Sequence, residues 1–98
     1  MDVKPVEKNV QDAVKILKAL SNERRLMIVC ALYEGEMSVG ALEDLIGLSQ
    51  SALSQHLARL RRDDLVQTRR DAQTIYYSLR DGDLHKILSC LHDMYCED

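Results

Sequence analysis

Three cysteines and three histidines are the residues of this sequence best suited to chemistry near neutral pH. Cys96 stands one helical turn after His92, and His85 falls on the same flank seven residues before His92. A neighbouring imidazolium stabilises a thiolate and so promotes its attack on persulfides or oxidants. Cys96 is therefore the candidate nucleophile.

The other two cysteines are less distinctive. Cys30 lies in the apolar run of residues 28–32 and, taken alone, is typical of a small core residue. Cys90 stands six residues before Cys96 and either competes for it or packs; we expect packing. Three cysteines are too few for a secreted disulfide framework, and a reducing compartment would leave them as thiols.

A second group of residues has side chains that can read base pairs. In a helix, which turns by roughly 100° per residue, Leu53, Leu57 and Leu60 form one stripe that must pack inward. The opposite face carries hydroxyl, amide and guanidinium groups, which hydrogen-bond to bases and phosphates. From this helix and the hairpin after it, we expect DNA contacts at Ser49, Gln50, Ser51, Ser54, Gln55, Arg59, Arg62, Arg69 and Arg70.

The elements around this helix indicate a winged helix-turn-helix. Gly47 can end the preceding helix in a left-handed conformation, and Ser49 can cap the next one. Residues 65–70 and 73–79 have strand character and predict a hairpin, the wing. Its tip, residues 69–73, lacks an Asn-Gly pair, so we expect a loop longer than two residues that brings Arg69 and Arg70 to the phosphates or the adjacent minor groove.

Helical periodicity accounts for the remaining segments. We expect helices over residues 6–20, from Ser21 or Asn22 to about Tyr33, after a cap at Ser38, and over residues 83–96. The second of these is apolar on every side over residues 26–32 and is predicted to be the buried central helix. The chain is thus one mainly helical domain, residues 1–98, with four helices, a β-hairpin and a last helix.

The net charge of −3 is unevenly distributed. Residues 49–80 carry six arginines and three aspartates, whereas residues 81–98 carry one lysine and five acidic residues. The positive charge is therefore placed where DNA contacts are predicted. The polar N-terminal residues 1–9 and the lack of a long apolar run predict a cytoplasmic protein, nucleoid-associated when it is bound to DNA.

Three segments carry a resemblance to a known family. They are ALSNERRL at residues 19–26, LSQSALSQHL at residues 48–57 and TIYYSL at residues 74–79. They resemble the ArsR/SmtB family of bacterial winged-helix repressors, and Cys30 together with the ending LHDMYC most resembles the HlyU, SqrR and BigR branch. Members of that branch respond to reactive sulfur or oxidants, and the resemblance covers nearly the whole chain.

The resemblance implies a homodimer that binds an inverted-repeat operator. Its two recognition helices would enter successive major grooves about 34 Å apart. It also implies a disulfide or short polysulfide link between Cys30 and Cys96, which would release the operator. The first and last helices would form the dimer interface, through Val10, Val14, Leu17, Leu84, Ile87, Leu88, Leu91 and Tyr95.

The sequence leaves three alternatives to a thiol-switched regulator open. Family zinc sensors carry an Asp-x-His pair, which Asp83 and His85 match, and His85, His92 and Cys96 could hold zinc with one more donor. The second alternative is a small thiol enzyme that uses Cys96. The sequence has no Cys-x-x-Cys motif and no phosphate-binding glycine loop to support it. The third alternative is a protein-interaction module. A lack of salt-dependent DNA binding would favour it over a repressor. We predict a regulator without catalytic activity, resident metal or other cofactor, whose effector is a small persulfide or oxidant.

Overall fold

The helices and strands follow the chain in the predicted order, with two short additions. The structure is a computed structural model that describes residues 1–7, 9–80 and 82–96. Within these residues the elements are α1 (Lys4–Glu7), α2 (Val10–Leu20), α3 (Glu23–Tyr33), β1 (Met37–Ser38), α4 (Val39–Ile46), α5 (Gln50–Arg62), β2 (Val66–Asp71), β3 (Thr74–Leu79) and α6 (Asp83–Tyr95). The fold is the predicted winged helix-turn-helix; α1 and β1 are the additions. None of the described helices is long and apolar enough to cross a membrane.

The helix-turn-helix, α4 and α5, is built by the predicted local signals. Ser38 and Ser49 accept hydrogen bonds from the N–H groups three residues on, and so cap α4 and α5. Gly47 ends α4 with φ of 78°, a left-handed conformation that favours glycine. Leu53, Leu57 and Leu60 are at most 2% exposed, which confirms the inward stripe of α5.

The wing differs from the prediction at its tip. The strands form an antiparallel sheet in the order β1-β3-β2, and Asp71 pairs with Thr74. Only Ala72 and Gln73 remain for the turn, so the prediction of a longer loop is wrong. Ala72 adopts φ of 56°, the left-handed conformation that an Asn-Gly turn would supply more easily.

Two predicted helices have different ends in the structure. The periodicity of residues 6–20 predicts one helix, but α1 ends at Glu7 and α2 begins at Val10. Asn9 precedes α2, and asparagine favours such flanking positions over a helix interior. At the other end of the chain, α6 stops at Tyr95 and Cys96 is its C-cap residue, in an extended conformation.

The core lies beneath α3, and the prediction of a fully buried helix there is wrong. Ile28, Val29 and Leu32 are at most 2% exposed, but Met27 is 44% exposed and Cys30 is also exposed. An entirely apolar helix does not indicate which of its sides faces the core. Here the side that carries Cys30 is turned outward.

The residues of the predicted dimer surface differ in their exposure within the single chain. Val10, Val14 and Leu17 remain at least 41% exposed on α2, and Tyr95 is 78% exposed. Ile87 and Leu91 are half-buried against the core. Leu84 and Leu88 are at most 4% exposed within the single chain, so they have almost no surface left for a partner. Leu84 and Leu88 thus pack in the core of the chain, and the dimer interface itself stays a prediction.

Candidate functional site

A groove separates the recognition helix α5 from the wing. It is lined by Val39, Gln50, Ser54, Leu57, Ala58, Arg61, Arg62, Ile75 and Tyr77. The predicted DNA-contact residues Gln50, Ser54 and Arg62 therefore lie together, whereas Ser49, Ser51 and Gln55 are exposed elsewhere on or beside the helix. Sequence reasoning missed Arg61, which follows Ser54 by seven residues and is placed beside it by the helical repeat.

The expected arginine contacts are not equally available. The Nε atom of Arg59 donates a hydrogen bond to Asp63 over 2.9 Å, one turn along the helix, so this guanidinium is already paired. Arg61 and Arg62 are exposed. The free positive charge of the recognition helix therefore lies at its C-terminal end, beside the groove.

The two wing arginines face opposite sides of the sheet. Successive side chains of a strand alternate between faces, so Arg70 shares the face of buried Val66, which is 1% exposed. Its strand partner Ile75 lines the groove. Arg69 lies on the outer face, where its guanidinium is 4.5 Å from the centre of the Tyr76 ring.

Arg69 also has an acidic partner within the chain. Its Nε and Nη2 atoms donate to the two carboxylate oxygens of Glu36 over 3.0 Å and 2.7 Å. The hydrogen bonds from Arg69 hold the pKa of Glu36 below its usual range, and Glu36 raises the pKa of Arg69. In the DNA-free chain Arg69 is thus engaged with Glu36, and its contact with phosphates stays a prediction.

A second cavity lies between α3 and the end of α6, with a volume of about 330 Å³. It is lined by Leu26, Cys30, Tyr33, Glu34, Leu88, Leu91, His92, Tyr95 and Cys96. We call it the thiol pocket. Cys30 and Cys96, which are far apart in the sequence, both line it.

The thiol pocket affects the ionisation of Cys30. Partial burial against the apolar lining raises the pKa of the Cys30 thiol, and the negative charge of a Cys96 thiolate raises it further. The Cys30 thiol therefore ionises less readily than an ordinary cysteine thiol, which lowers its reactivity as a nucleophile.

The other candidate ligands and thiols lie apart from this arrangement. Cys90 is exposed and is not among the pocket residues, so the prediction that it packs is wrong for the single chain. The His85 ring lies against Tyr33, with centroids 5.8 Å apart. Within residues 1–7, 9–80 and 82–96, no three His, Cys, Asp or Glu side chains gather as a metal-binding group.

The raised pKa of Cys30 predicts a distinct alkylation profile. In the reduced native protein, the rate at which iodoacetamide modifies Cys30 is expected to rise at higher pH than in the urea-unfolded chain, because only the thiolate reacts. The Cys96→Ser variant should show a smaller difference, since one cause of the shift is removed. Peptide mapping across a pH series measures both; a native midpoint at or below the unfolded one would contradict the assignment.

Residues 22–68 match the model of the bacterial regulatory protein arsR family. The transcriptional activator HlyU of Vibrio cholerae is 52% identical over 97 residues, which cover 99% of this chain and 90% of HlyU. The chain belongs to the ArsR family.

Solved structures of ArsR-family relatives have the same architecture. Reduced HlyU from Vibrio cholerae superposes with a TM-score of 0.90 at 52% identity, covering 96% of this chain and 99% of that one. The repressor BigR from Xylella fastidiosa gives 0.92 at 40% identity, with both chains fully covered. A homodimeric winged helix-turn-helix DNA-binding domain from Mycobacterium bovis gives 0.79 at 28% identity, covering 96% and 85%.

Membership in the ArsR family makes this protein a DNA-binding transcriptional regulator. Its relatives are named as regulators and repressors and not as enzymes, in agreement with the prediction from sequence. The groove between α5 and the wing is therefore its candidate nucleic-acid interface.

Proposed function

We propose that this regulator, a repressor or an anti-silencer, binds an inverted-repeat operator as a dimer and releases it when Cys30 and Cys96 become linked. One observation carries the proposal: two cysteines from distant parts of the chain line a single apolar pocket. They belong to different elements, since Cys30 lies in α3 and Cys96 caps α6. A bond between them would tie these two helices together.

Persulfide chemistry can form this bond without a further oxidant. The Cys96 thiolate attacks the outer sulfur of a persulfide RSSH, giving a Cys96 persulfide and releasing the thiol RSH. The Cys30 thiol then loses its proton and attacks the inner sulfur, forming the disulfide and releasing hydrosulfide. If both cysteines first become persulfides, attack of one on the other gives a trisulfide and hydrosulfide. We assign the first attack to Cys96, because the raised pKa of Cys30 makes that thiol a poorer first nucleophile.

An oxidant such as hydrogen peroxide reaches the same product by another route. The Cys96 thiolate takes an oxygen atom and becomes a sulfenic acid, with loss of hydroxide. Attack by Cys30 on this sulfur then forms the disulfide and releases water. The two routes differ in whether additional sulfur can remain in the link.

The proposed dimer connects this pocket to DNA. The exposed apolar stripe of Val10, Val14 and Leu17 on α2 supplies one part of the interface, and Leu91 and Tyr95 on α6 supply another. Since α6 also carries the end of the thiol pocket, a link that moves it would change how the two recognition helices are oriented. A coupling of about 1–3 kcal/mol corresponds to a several-fold to hundredfold change in affinity.

The exposed residues of α5 and the wing suggest how DNA is read. We assign base contacts to the exposed α5 residues Ser51, Ser54 and Gln55, and phosphate contacts to Arg61, Arg62 and Arg70. We also assign phosphate contacts to Ser49 and Gln50, because they lie at the N-terminus of α5. Arg59 and Arg69 already have partners and are not assigned a direct contact.

This assignment predicts different losses for Gln55 and Arg70. Gln55→Ala should weaken binding to selected duplexes by about 1–3 kcal/mol and to random DNA much less, because it removes a base contact. Arg70→Ala should weaken both equally and reduce the salt slope by about one unit, because one phosphate is no longer neutralised. Fluorescence anisotropy at several salt concentrations measures both. Arg69→Ala is the matched control, with a smaller salt effect; equal losses for Gln55→Ala on all DNA would contradict base reading.

The covalent part of the proposal is tested by mass spectrometry. Reduced, metal-free protein is treated with cysteamine persulfide or hydrogen peroxide and digested, with zinc titrated in a parallel sample. A peptide in which Cys30 and Cys96 are joined directly or through added sulfur supports the proposal. Unlinked cysteines together with stoichiometric zinc uptake would instead favour a metal sensor on the same DNA-binding frame. Cys90, exposed outside the thiol pocket, reports the intrinsic reactivity of each reagent.

A further inference from the structure

Glu36, Arg69 and Tyr76 form a clamp on the outer face of the wing. Glu36 accepts two hydrogen bonds from the Arg69 guanidinium, at 3.0 Å and 2.7 Å, and this guanidinium lies 4.5 Å from the centre of the Tyr76 ring. A planar guanidinium held by a carboxylate fork and stacked on a ring has a defined orientation. The clamp therefore fixes Glu36 relative to both long strands of the wing.

The chain leading to Glu36 begins in the thiol pocket. Cys30 and Tyr33 of α3 line the pocket together with Glu34, the C-cap of this helix, and Glu36 follows Glu34 after the single residue Gly35. Gly35 has φ of 148°, a conformation that other residues rarely adopt, so the turn between the pocket and the clamp has a specific shape. The end of α3 is thus close to the clamp in both sequence and space, so a displacement of this end would act on Glu36.

The residue after Glu36 begins the sheet. Met37 of β1 pairs with Tyr77 of β3, and Tyr77 lines the groove beside the recognition helix. Ser38 pairs with Tyr76, the aromatic member of the clamp. Residues 36–38 are thus connected to the wing in two ways: Glu36 through the clamp, and Met37 and Ser38 through backbone pairing with β3.

We propose that Glu36 is a positioning residue that transmits the state of the thiol pocket to the wing through Arg69 and Tyr76. This role rests on the proposed thiol switch. Besides the change in dimer geometry, it gives the switch a second route to DNA that lies within each protomer. When α3 is tied to α6, Glu36 moves with the end of α3 and carries β2 and β3 with it. The wing then no longer fits the DNA backbone while the recognition helix is engaged.

The exposure of the clamp is consistent with a positioning role. The side chains of Arg69 and Glu36 are 53% and 36% exposed, and ion pairs this accessible contribute little to folding stability. A bidentate, stacked pair nevertheless restricts orientation. Loss of the carboxylate should therefore leave the fold intact and change the response of DNA binding to the thiol pocket.

The test compares Glu36→Gln with Asp71→Asn. Each removes one negative charge near Arg69 on the wing. Asp71 acts on Arg69 through its charge, whereas Glu36 also accepts the two hydrogen bonds of the clamp, so only Glu36→Gln alters those hydrogen bonds. The affinities of the reduced and the Cys30–Cys96-linked forms are measured on duplexes that the reduced wild-type protein selects from a random library. Mass spectrometry confirms the link in each linked sample.

The ratio of the two affinities decides the outcome. We expect linking to weaken DNA binding at least about tenfold in the wild type and in Asp71→Asn, but less than about threefold in Glu36→Gln. Equal ratios in all three proteins would overturn the role of Glu36 while leaving the thiol switch intact. A wild-type ratio near one would instead overturn the switch and, with it, this inference.

Discussion

Linking Cys30 to Cys96 is expected to lower the affinity of the dimer for its selected DNA by about tenfold to a hundredfold, and Cys96→Ser protein should show no such loss. The reason is geometric. The link joins α3, which lies over the core, to the end of α6, which carries part of the proposed dimer surface. Once joined, these helices cannot keep the arrangement that presents both recognition helices to one duplex.

The measurement is anisotropy of a labelled duplex with reduced, persulfide-treated and re-reduced protein. Re-reduction should restore the full affinity, since no other covalent change is required. Cys90→Ser is the matched control, because Cys90 lies on the same helix outside the thiol pocket, and this variant should respond as the wild type does. If Cys96→Ser protein lost affinity on treatment as strongly as the wild type, the proposed pair would not be the sensor.

The helix-turn-helix could be predicted from sequence because its signals act within a few residues. Gly47 ends one helix and Ser49 begins the next through hydrogen bonds that span no more than four residues, and both behave as expected. The buried stripe of α5 follows equally from helical spacing. The two-residue turn of the wing was missed because Ala72 takes a left-handed conformation that alanine rarely adopts.

The sensor region was less predictable because it depends on tertiary placement. Cys30 stands in a run of apolar residues whose pattern gives no preferred outer side, so its exposure beside Cys96 follows only from how α3 and α6 pack. The same limit applies to the wing. Glu36 and Arg69 are 33 residues apart, and nothing in the sequence pairs them. Their bond distinguishes Arg69 from Arg70, which the sequence presents as equivalent neighbours.

The second large effect is expected at the proposed dimer surface. Leu17→Asp should convert the protein from a dimer to a monomer and weaken binding to selected duplexes by at least about a hundredfold. Leu17 is 56% exposed at the end of an apolar stripe on α2, so the substitution leaves the core of the chain untouched. It places a carboxylate where a partner helix would otherwise bury apolar surface. Two joined half-site contacts gain about a hundredfold or more over one, and a monomer forfeits that gain.

Leu45→Asp is the matched control for assembly. Leu45 is 58% exposed on α4, so the two substitutions change the same residue type at nearly the same exposure on different helices. Sedimentation equilibrium should give a monomer mass for Leu17→Asp and a dimer mass for Leu45→Asp, and circular dichroism should show that both remain folded. A wild-type protein that sediments as a monomer would reject the dimer itself. A dimeric Leu17→Asp protein would place the interface away from α2, and the thiol pocket would then need another route to the second recognition helix.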